Sequence, residues 1–265
     1  MPSHASFAGT TTEVQLSTPE IYDAVIRLAG VWHADMSGQR LKHLDIGAGE
    51  GGLIQLASTK LPLESHACDF HVERFSQTTV PMKQVNLNDA SLPYADAEFD
   101  LVTCSEVIEH LENYRALLRE AGRVLKPGGL FVVTTPNVLN VFSRVRYLAT
   151  GFANLFGPLP VKNDKLYSTG GHITPIPYFY LAHALLDADF EHISLDIDKT
   201  QRTSVLWLVV LFPFIALGWL RFGALERKKY KTLTTENEPH VGQHHSWMLF
   251  VGRTIVVSAR KSLPR

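Results

Sequence analysis

The sequence predicts an α/β fold built on a doubly wound sheet, mostly parallel with an antiparallel last strand, and carrying one late apolar insertion. Three observations lead there. Strand-like apolar runs alternate with helical patterns, a glycine-rich turn joins the first such run to a helix, and an apolar run from Arg253 to Ala259 returns after the insertion. At 265 residues the chain fits one large domain with an accessory segment.

Ser17-Thr18-Pro19-Glu20 places a capping hydroxyl ahead of a proline suited to the first helical position, and Ile21, Ala24, Val25, Leu28 and Ala29 follow at helical spacing. A helical segment (1–36) thus precedes the core domain (37–200). The core is expected to open with a strand from Leu41 to Ile46, a helix from about Gly52, a strand from Glu64 to Asp69, a short helix near Val72 and a strand from Met82 to Leu87. A strand from Phe99 to Ser105 follows, then a helix from about Asn113 to Val124. Leu130 to Thr135 forms the next strand, entered through the turn Lys126-Pro127-Gly128-Gly129. Past Pro136-Asn137 the periodicity lapses for about 35 residues, and an irregular stretch of that length inside a domain is more often functional than idle. Residues 137–176 are therefore expected to form an acceptor-site insert. A helix from about Pro177 to Leu186 and a strand from Phe190 to Ile197 end the core, before an apolar and basic insertion (201–232) and a closing loop and strand (233–265).

Twenty-five basic against 26 acidic residues leave a formal charge of −1. That gives no field to attract a polyanion and disfavours nucleic acid as a partner. Cys68 and Cys104 lie in or beside strand-like runs without metal-ligand spacing, as free buried thiols in a reducing compartment would. Met1 to Leu16 is polar, without the basic start and apolar core of a secretory signal, so the expected location is cytoplasmic.

The stretch Leu44-Asp45-Ile46-Gly47-Ala48-Gly49-Glu50-Gly51-Gly52 falls where the first strand turns into the first helix. Glycines there let the backbone bend tightly and approach a ligand, and the helix N-terminus offers unpaired N–H groups. Gly47, Gly49 and Gly52 also satisfy the G-x-G-x-x-G spacing of a dinucleotide site, and Asp69 ends the second strand, where a carboxylate accepts hydrogen bonds from ribose hydroxyls. On this motif alone a nicotinamide oxidoreductase and an S-adenosylmethionine enzyme both stay open on a Rossmann-like domain.

The rest of the chain separates them. From about Leu41 to Asn137 the sequence resembles the class I S-adenosylmethionine-dependent methyltransferases. Asp45-x-Gly47-x-Gly49-x-Gly51 looks like their first motif, with a carboxylate that would repel a pyrophosphate yet suits the cationic amino-acid end of S-adenosylmethionine. Leu92-Pro93-Tyr94, Glu98-Phe99-Asp100-Leu101-Val102, Ser105-Glu106-Val107-Ile108-Glu109-His110-Leu111, Leu125-Lys126-Pro127-Gly128-Gly129 and Thr134-Thr135-Pro136-Asn137 continue the likeness. The resemblance implies that Asp45, Gly47, Ala48, Gly49 and Gly51 surround the methionine end, that Asp69 binds the ribose with Phe70 beside it, and that Ser105 borders the pocket. Asn86 and Asn88 are both candidates for the adenine edge; Asn88 fits the commoner spacing, and neither is the aspartate often found there.

Methyl transfer needs an in-line approach of the acceptor and exclusion of water, so positioning supplies much of the rate. A hydroxyl acceptor must also lose its proton, to which His110, His172 or Glu109 could serve as base. Glu106, Glu109, His110 and His172 together offer oxygen and nitrogen ligands for a divalent metal ion. This set resembles that of the small-RNA 3'-terminal 2'-O-methyltransferases, and in part that of the ubiquinone-type O-methyltransferases. The same string also occurs in metal-free relatives, where Glu109 and His110 only begin a helix. His240, His244 and His245 read as a solvated polar loop.

Val205 to Leu220 is an unbroken apolar run of 16 residues, followed by Arg221, Arg227, Lys228, Lys229 and Lys231. As a helix the run would extend about 24 Å, short of the ~30 Å hydrocarbon core, and Pro213 argues further against a straight span. If Arg253 to Ala259 rejoins the sheet, a single crossing is excluded. The expected arrangement is peripheral contact with the inner face of the membrane, the segment lying in the interface or dipping and returning; burial in an oligomer contact is the competing reading. The resemblance extends to bacterial methyltransferases of glycan and lipid pathways, which implies a glycan, lipid-linked or quinone-type small-molecule acceptor. A metal-dependent RNA 2'-O-methyltransferase and a non-catalytic S-adenosylmethionine-binding membrane adaptor are the alternatives.

Overall fold

Leu41–Ile46 (β1) lies third in a seven-stranded sheet and buries every residue but Lys42, because strands flank it on both sides and helices cover both faces there. The computed structural model describes residues 18–34, 38–89, 91–159 and 171–264. Around β1 stand Leu63–Asp69 (β2), Met82–Gln84 (β3), Phe99–Ser105 (β4), Leu125–Pro136 (β5), Phe190–Ile197 (β6) and Thr254–Lys261 (β7). The order is β3-β2-β1-β4-β5-β7-β6, and β7 runs antiparallel to both its neighbours. Strand order therefore reverses at β1 and β4, and the crevice beyond their carboxyl ends is where such sheets take ligands.

Residues alternate between two cores because successive side chains of a strand face opposite ways. Leu44, Ile46, Val102, Cys104, Phe131 and Val133 pack on one face against Tyr114–Val124 (α3) and Tyr178–Asp187 (α5). Leu41, Leu101, Leu130, Val132 and Val256 pack on the other against Pro19–Ala34 (α1) and Gly52–Ser58 (α2).

Several local expectations are corrected. β3 stops at Gln84, because Asn86 to Asp89 close a turn held by side chains. The glycine turn expected ahead of Leu130 is absorbed into β5 as a bulge, pairing slipping between Phe99 opposite Leu125 and Leu101 opposite Leu130. Gly129 is required there, since a Cβ would come within 2.8 Å of the Lys126 carbonyl. Within the supposedly irregular insert runs a helix, Val141–Thr150 (α4), capped by Asn140 and ended by Gly151 at φ 76°. Only Val141 and Ser143 of it are buried, which leaves little periodic signal to read.

The apolar insertion folds as Arg202–Leu225 (α6), continued by a wider turn at Glu226–Tyr230. Its 24 residues extend about 36 Å, so the length argument drawn from the apolar run fails: the flanking residues also wind into helix, and Pro213 lies inside without ending it. Along its length Ser204 and Leu208 are buried, and Leu208 packs with Val141 of α4 and with Phe250 and Val251 of Trp247–Val251 (α8). Val209 (74% exposed), Phe214 (71%) and Leu217 (60%) face outward.

The histidine loop is likewise structured. His240 belongs to Glu238–Gly242 (α7), and His244 and His245 form the turn after it. The His244 ring lies 6.4 Å from those of Tyr178 and Phe179, and the His245 ring 3.9 Å from Trp219. His245 thus packs on α6 and His244 toward α5.

Candidate active site

Asp45 sits at the carboxyl end of β1, 3% exposed, and accepts a hydrogen bond from Thr103 Oγ1 at 2.7 Å. His43 Nε2 lies 2.8 Å from the same hydroxyl, so a buried file of His43, Thr103 and Asp45 runs through the strands beneath the crevice. Burial, with Asp69 adding like charge, pushes the Asp45 carboxyl up to about 7. A buried carboxylate of this kind favours a cationic ligand.

The turn beyond β1 has Gly47, Gly49 and Gly51 at φ 71°, 52° and 87°. Side chains are excluded at two of them, where a Cβ would meet Val107 at 2.3 Å or Phe75 at 2.9 Å. Around Gly49 nothing lies within 4 Å, so its backbone borders open space at the crevice. Ala48 packs inward with Ile54 and Ala67 rather than presenting a side chain to a ligand. Asp69 ends β2 and is fixed by two backbone donors, Gly49 N–H at 2.9 Å and His71 N–H at 2.8 Å. Phe70 follows it, its ring 5.0 Å from that of His71.

The two asparagines divide their work. Asn86 donates to Asp89 and accepts from Asn88 N, which closes the turn after β3. Asn88 Oδ1 accepts from Glu112 N at 2.9 Å, joining that turn to the segment after β4.

At the ends of β4 and β5 the chain buries polar atoms with no well-formed hydrogen bond: Ser105 Oγ, His110 Nε2, the Glu109 carboxyl, near which only Thr135 Oγ1 stands, and His172 Nδ1, whose ring lies near the Leu155 backbone. Native proteins rarely leave buried polar groups unpaired, and a cluster of them marks the place of an absent ligand. Glu109, His110 and His172 present ligand atoms within 4.8 Å of one another. His172 reaches β4's end because the insert is bound there: Ile173 and Thr174 donate to the Glu109 carbonyl, and Thr174 Oγ1 to the Leu111 carbonyl.

His110 Nδ1 lies 2.9 Å from the Gly171 carbonyl. That acceptor fixes the proton on Nδ1 and leaves Nε2 with a free lone pair, and burial with the neighbouring His172 pushes the imidazole down to about 4, so it is neutral at pH 7. Burial and Glu106 hold the Glu109 carboxyl well above the carboxylate range.

Glu106 departs from the expected set. It turns at φ 55°, its carboxylate accepts from Thr134 Oγ1 at 3.0 Å, and burial raises it to about 8. Glu109, His110 and His172 come together; Glu106 points to β5. Sequence reasoning passed over Thr103, Thr135 and Gly171. A hydroxyl inside an otherwise apolar strand was the available signal for the first two, and nothing marked Gly171, whose carbonyl does the work.

A glycine turn and acidic strand ends stand at a topological switch point, with polar groups converging beside them, as in a methyltransferase domain that takes S-adenosylmethionine. The chain belongs to the family described as methyltransferase domain, which matches residues 18–195. That membership sets aside the nicotinamide reading, and S-adenosylmethionine is the family's cofactor.

The chain is 31% identical to the demethylmenaquinone methyltransferase of Corynebacterium efficiens, over 66% of this chain and 74% of that protein. It is 31% identical to the ubiquinone biosynthesis O-methyltransferase of Xanthomonas oryzae pv. oryzae, over 39% of this chain and 45% of that one. It spans between 42% and 47% of the length of several curated relatives that it matches. A solved S-adenosylmethionine-dependent methyltransferase from Archaeoglobus fulgidus shares the fold, with a TM-score of 0.52 and 16% identity over 89% of this chain and 94% of that one. So does a [4+2]-cyclase, with a TM-score of 0.50 and 21% identity over 91% and 83%, so the fold alone does not fix the reaction.

Proposed function

We propose that this protein transfers a methyl group from S-adenosylmethionine to a hydroxyl of a small-molecule acceptor carried at the cytoplasmic face of a membrane, of glycan, lipid-linked or quinone type. The observation that carries the reading is the group of buried polar atoms without a well-formed hydrogen bond on Ser105, Glu109, His110 and His172 beside the glycine turn. Asp45 receives the ammonium of the methionine end, Asp69 the ribose hydroxyls and Asn88 the adenine edge. S-adenosylmethionine held there would supply an electrophilic methyl group to the acceptor oxygen and depart as S-adenosylhomocysteine, and His110 Nε2 would take the hydroxyl proton. A neutral imidazole of lowered basicity suffices, because the proton becomes strongly acidic as the new carbon–oxygen bond forms.

A second reading is favoured by the same atoms. One carboxylate and two imidazoles with free lone pairs suit a divalent cation bound by three protein ligands with a position open for substrate. Such an ion would polarise the acceptor oxygen and lower its pKa.

The membrane reading rests on α6, apolar and long enough to cross a bilayer by length and composition, yet only 11% buried over its most apolar window. Because β6 before it and β7 after it lie side by side in the sheet, both ends of the excursion stay on one side. The helix therefore lies in the interface with Arg227, Lys228 and Lys229 at headgroup level. The identity in sequence to quinone methyltransferases fits this setting, whereas RNA does not. Labelled S-adenosylmethionine incubated with separated lipid, glycan, quinone and RNA pools tests the proposal: label in a lipid, glycan or quinone pool supports it, and label in RNA alone overturns it.

A further inference from the structure

A second cavity, of about 720 Å³, opens between α6, α5 and the segment around α7. That volume lies in the range of small-molecule sites. Phe179, Ile215, Trp219 and Phe222 make much of its wall apolar, and Arg144 and His244 line it together with Asn237 and His245. Arg144 comes from α4, where its Nε donates to the Leu139 carbonyl at 2.6 Å and its guanidinium carbon stands 5.6 Å from the centre of the Phe250 ring. Among the described residues no carboxylate lies within 4.0 Å of it. The carboxylate that does line the cavity, Glu226, is engaged by Thr232. His244 Nε2 is buried without a partner.

A guanidinium withdrawn from water without a counter-ion is costly, as burial's downward pull on its pKa reflects, and so is an unpaired imidazole nitrogen. Both are relieved by one anion. Burial and the charge of Arg144 push His244 down to about 4, so at neutral pH it meets an anion as an uncharged N–H donor. The hydrocarbon preference is as clear as the charge. Gly218 and Trp219 line the cavity while Leu217, the residue before them, and Phe214, a turn earlier, are exposed, so the apolar wall continues onto the outer face of α6.

We infer that this cavity binds an anionic amphiphile, its phosphate or carboxylate held by Arg144 and His244 and its hydrocarbon chain running along Ile215, Trp219 and Phe222 toward the exposed face of α6. The inference rests on the reading of α6 as membrane-facing and names the lipid chemistry that reading implies: a single-headed anionic lipid drawn partly out of the bilayer beside the insert that carries His172.

The test is direct binding, below the critical micelle concentration, of dodecyl phosphate, dodecanol and inorganic phosphate to the full-length protein by isothermal titration. Dodecyl phosphate is expected to bind about ten-fold or more tightly than either of the others, as hydrogen bonds to a charged group require. Arg144→Gln is expected to erase the difference between dodecyl phosphate and dodecanol. Gly218→Phe, at a position where a Cβ meets nothing within 4 Å, is expected to fill the cavity and abolish binding of both. Titration with S-adenosylhomocysteine checks that each variant is folded; should Arg144→Gln fail that check, Gly218→Phe and the three wild-type affinities decide.

Equal affinity for dodecanol and dodecyl phosphate would overturn the anionic site. Equal affinity for inorganic phosphate would overturn the amphiphile. Unchanged binding to Gly218→Phe would place the ligand elsewhere and overturn the proposal. Methyl transfer enters none of these measurements, so failure of the acceptor assignment and failure of this site are told apart.

Discussion

The backbone N–H of Gly49 donates to Oδ2 of Asp69 at 2.9 Å, so the turn after β1 holds the carboxylate that ends β2. The bond joins two parts of the expected cofactor motif that lie 20 residues apart. Either half should therefore fail with the other. Asp69→Ala is expected to weaken S-adenosylhomocysteine binding by removing two charge-assisted ribose contacts, each worth roughly 1.5–3 kcal/mol. Gly49→Ala meets no neighbour, but an alanine at φ 52° is strained by about 1–2 kcal/mol and should shift the turn and weaken binding as well. Calorimetry on folded variants checks both, and unchanged affinity in Asp69→Ala would refute the ribose assignment.

Asp45 is expected to give cofactor binding a pH dependence. Its carboxyl titrates near 7 in the free protein because it is buried. The ionised form is the one that receives an ammonium, so below pH 7 binding must first remove a proton. Affinity for S-adenosylhomocysteine should fall about ten-fold per pH unit below 7 and level off above it. Asp45→Asn should bind weakly with that step gone. A flat profile in the wild-type protein between pH 5.5 and 8.5 would show that Asp45 does not face the ammonium.

His110→Ala should lower kcat by about 10²–10⁴ while leaving S-adenosylhomocysteine affinity intact, since the base acts on the acceptor and not on the cofactor. Chelation separates the two roles open to that imidazole. Full activity in excess chelator assigns His110 as base without metal; loss restored by an added divalent ion, and not restored in Glu109→Gln, assigns the cation. Wild-type kcat in His110→Ala would remove the residue from the mechanism altogether.

Val209, Phe214 and Leu217 project from α6 into solvent. Replacing all three by serine should release the protein from anionic liposomes while S-adenosylhomocysteine binding survives, each lost aliphatic or aromatic contact being worth roughly 1.5–3 kcal/mol. Co-sedimentation measures the loss. Protease outside sealed, right-side-out vesicles should not reach Glu236 to His245, because β7 must return to the sheet. Cleavage there would mean that α6 crosses the bilayer.

Much of the sheet was legible because buried parallel strands announce themselves. β1, β4 and β6 have the bounds expected from the sequence, although β6 is an antiparallel edge strand. β3 ended early because the hydrogen bonding of Asn86 and Asp89 outcompeted a weak edge pairing. α4 went unread because a helix with two buried residues carries almost no period. The helical length of α6 was underestimated because apolar continuity measures where a helix is hydrophobic, not where its backbone hydrogen bonds stop.

Sequence by itself determined the local chemistry: a glycine turn between strand and helix, carboxylates at the strand ends, and an apolar segment abutting a basic one. These depend on residues adjacent in the chain, where spacing and backbone preference suffice. Tertiary structure alone decided which side chains meet. His172 reaches His110 because Ile173 and Thr174 of the insert, 63 to 65 residues away, hydrogen-bond through their backbone to Glu109 and through the Thr174 hydroxyl to Leu111, and Glu106 leaves the group because a left-handed turn aims it at Thr134. Arg144 and His244 share a cavity, though 100 residues separate them, because α4 and the segment after α6 close on the same aromatic face. Convergence of this kind is set by packing, and packing is a property of the whole chain.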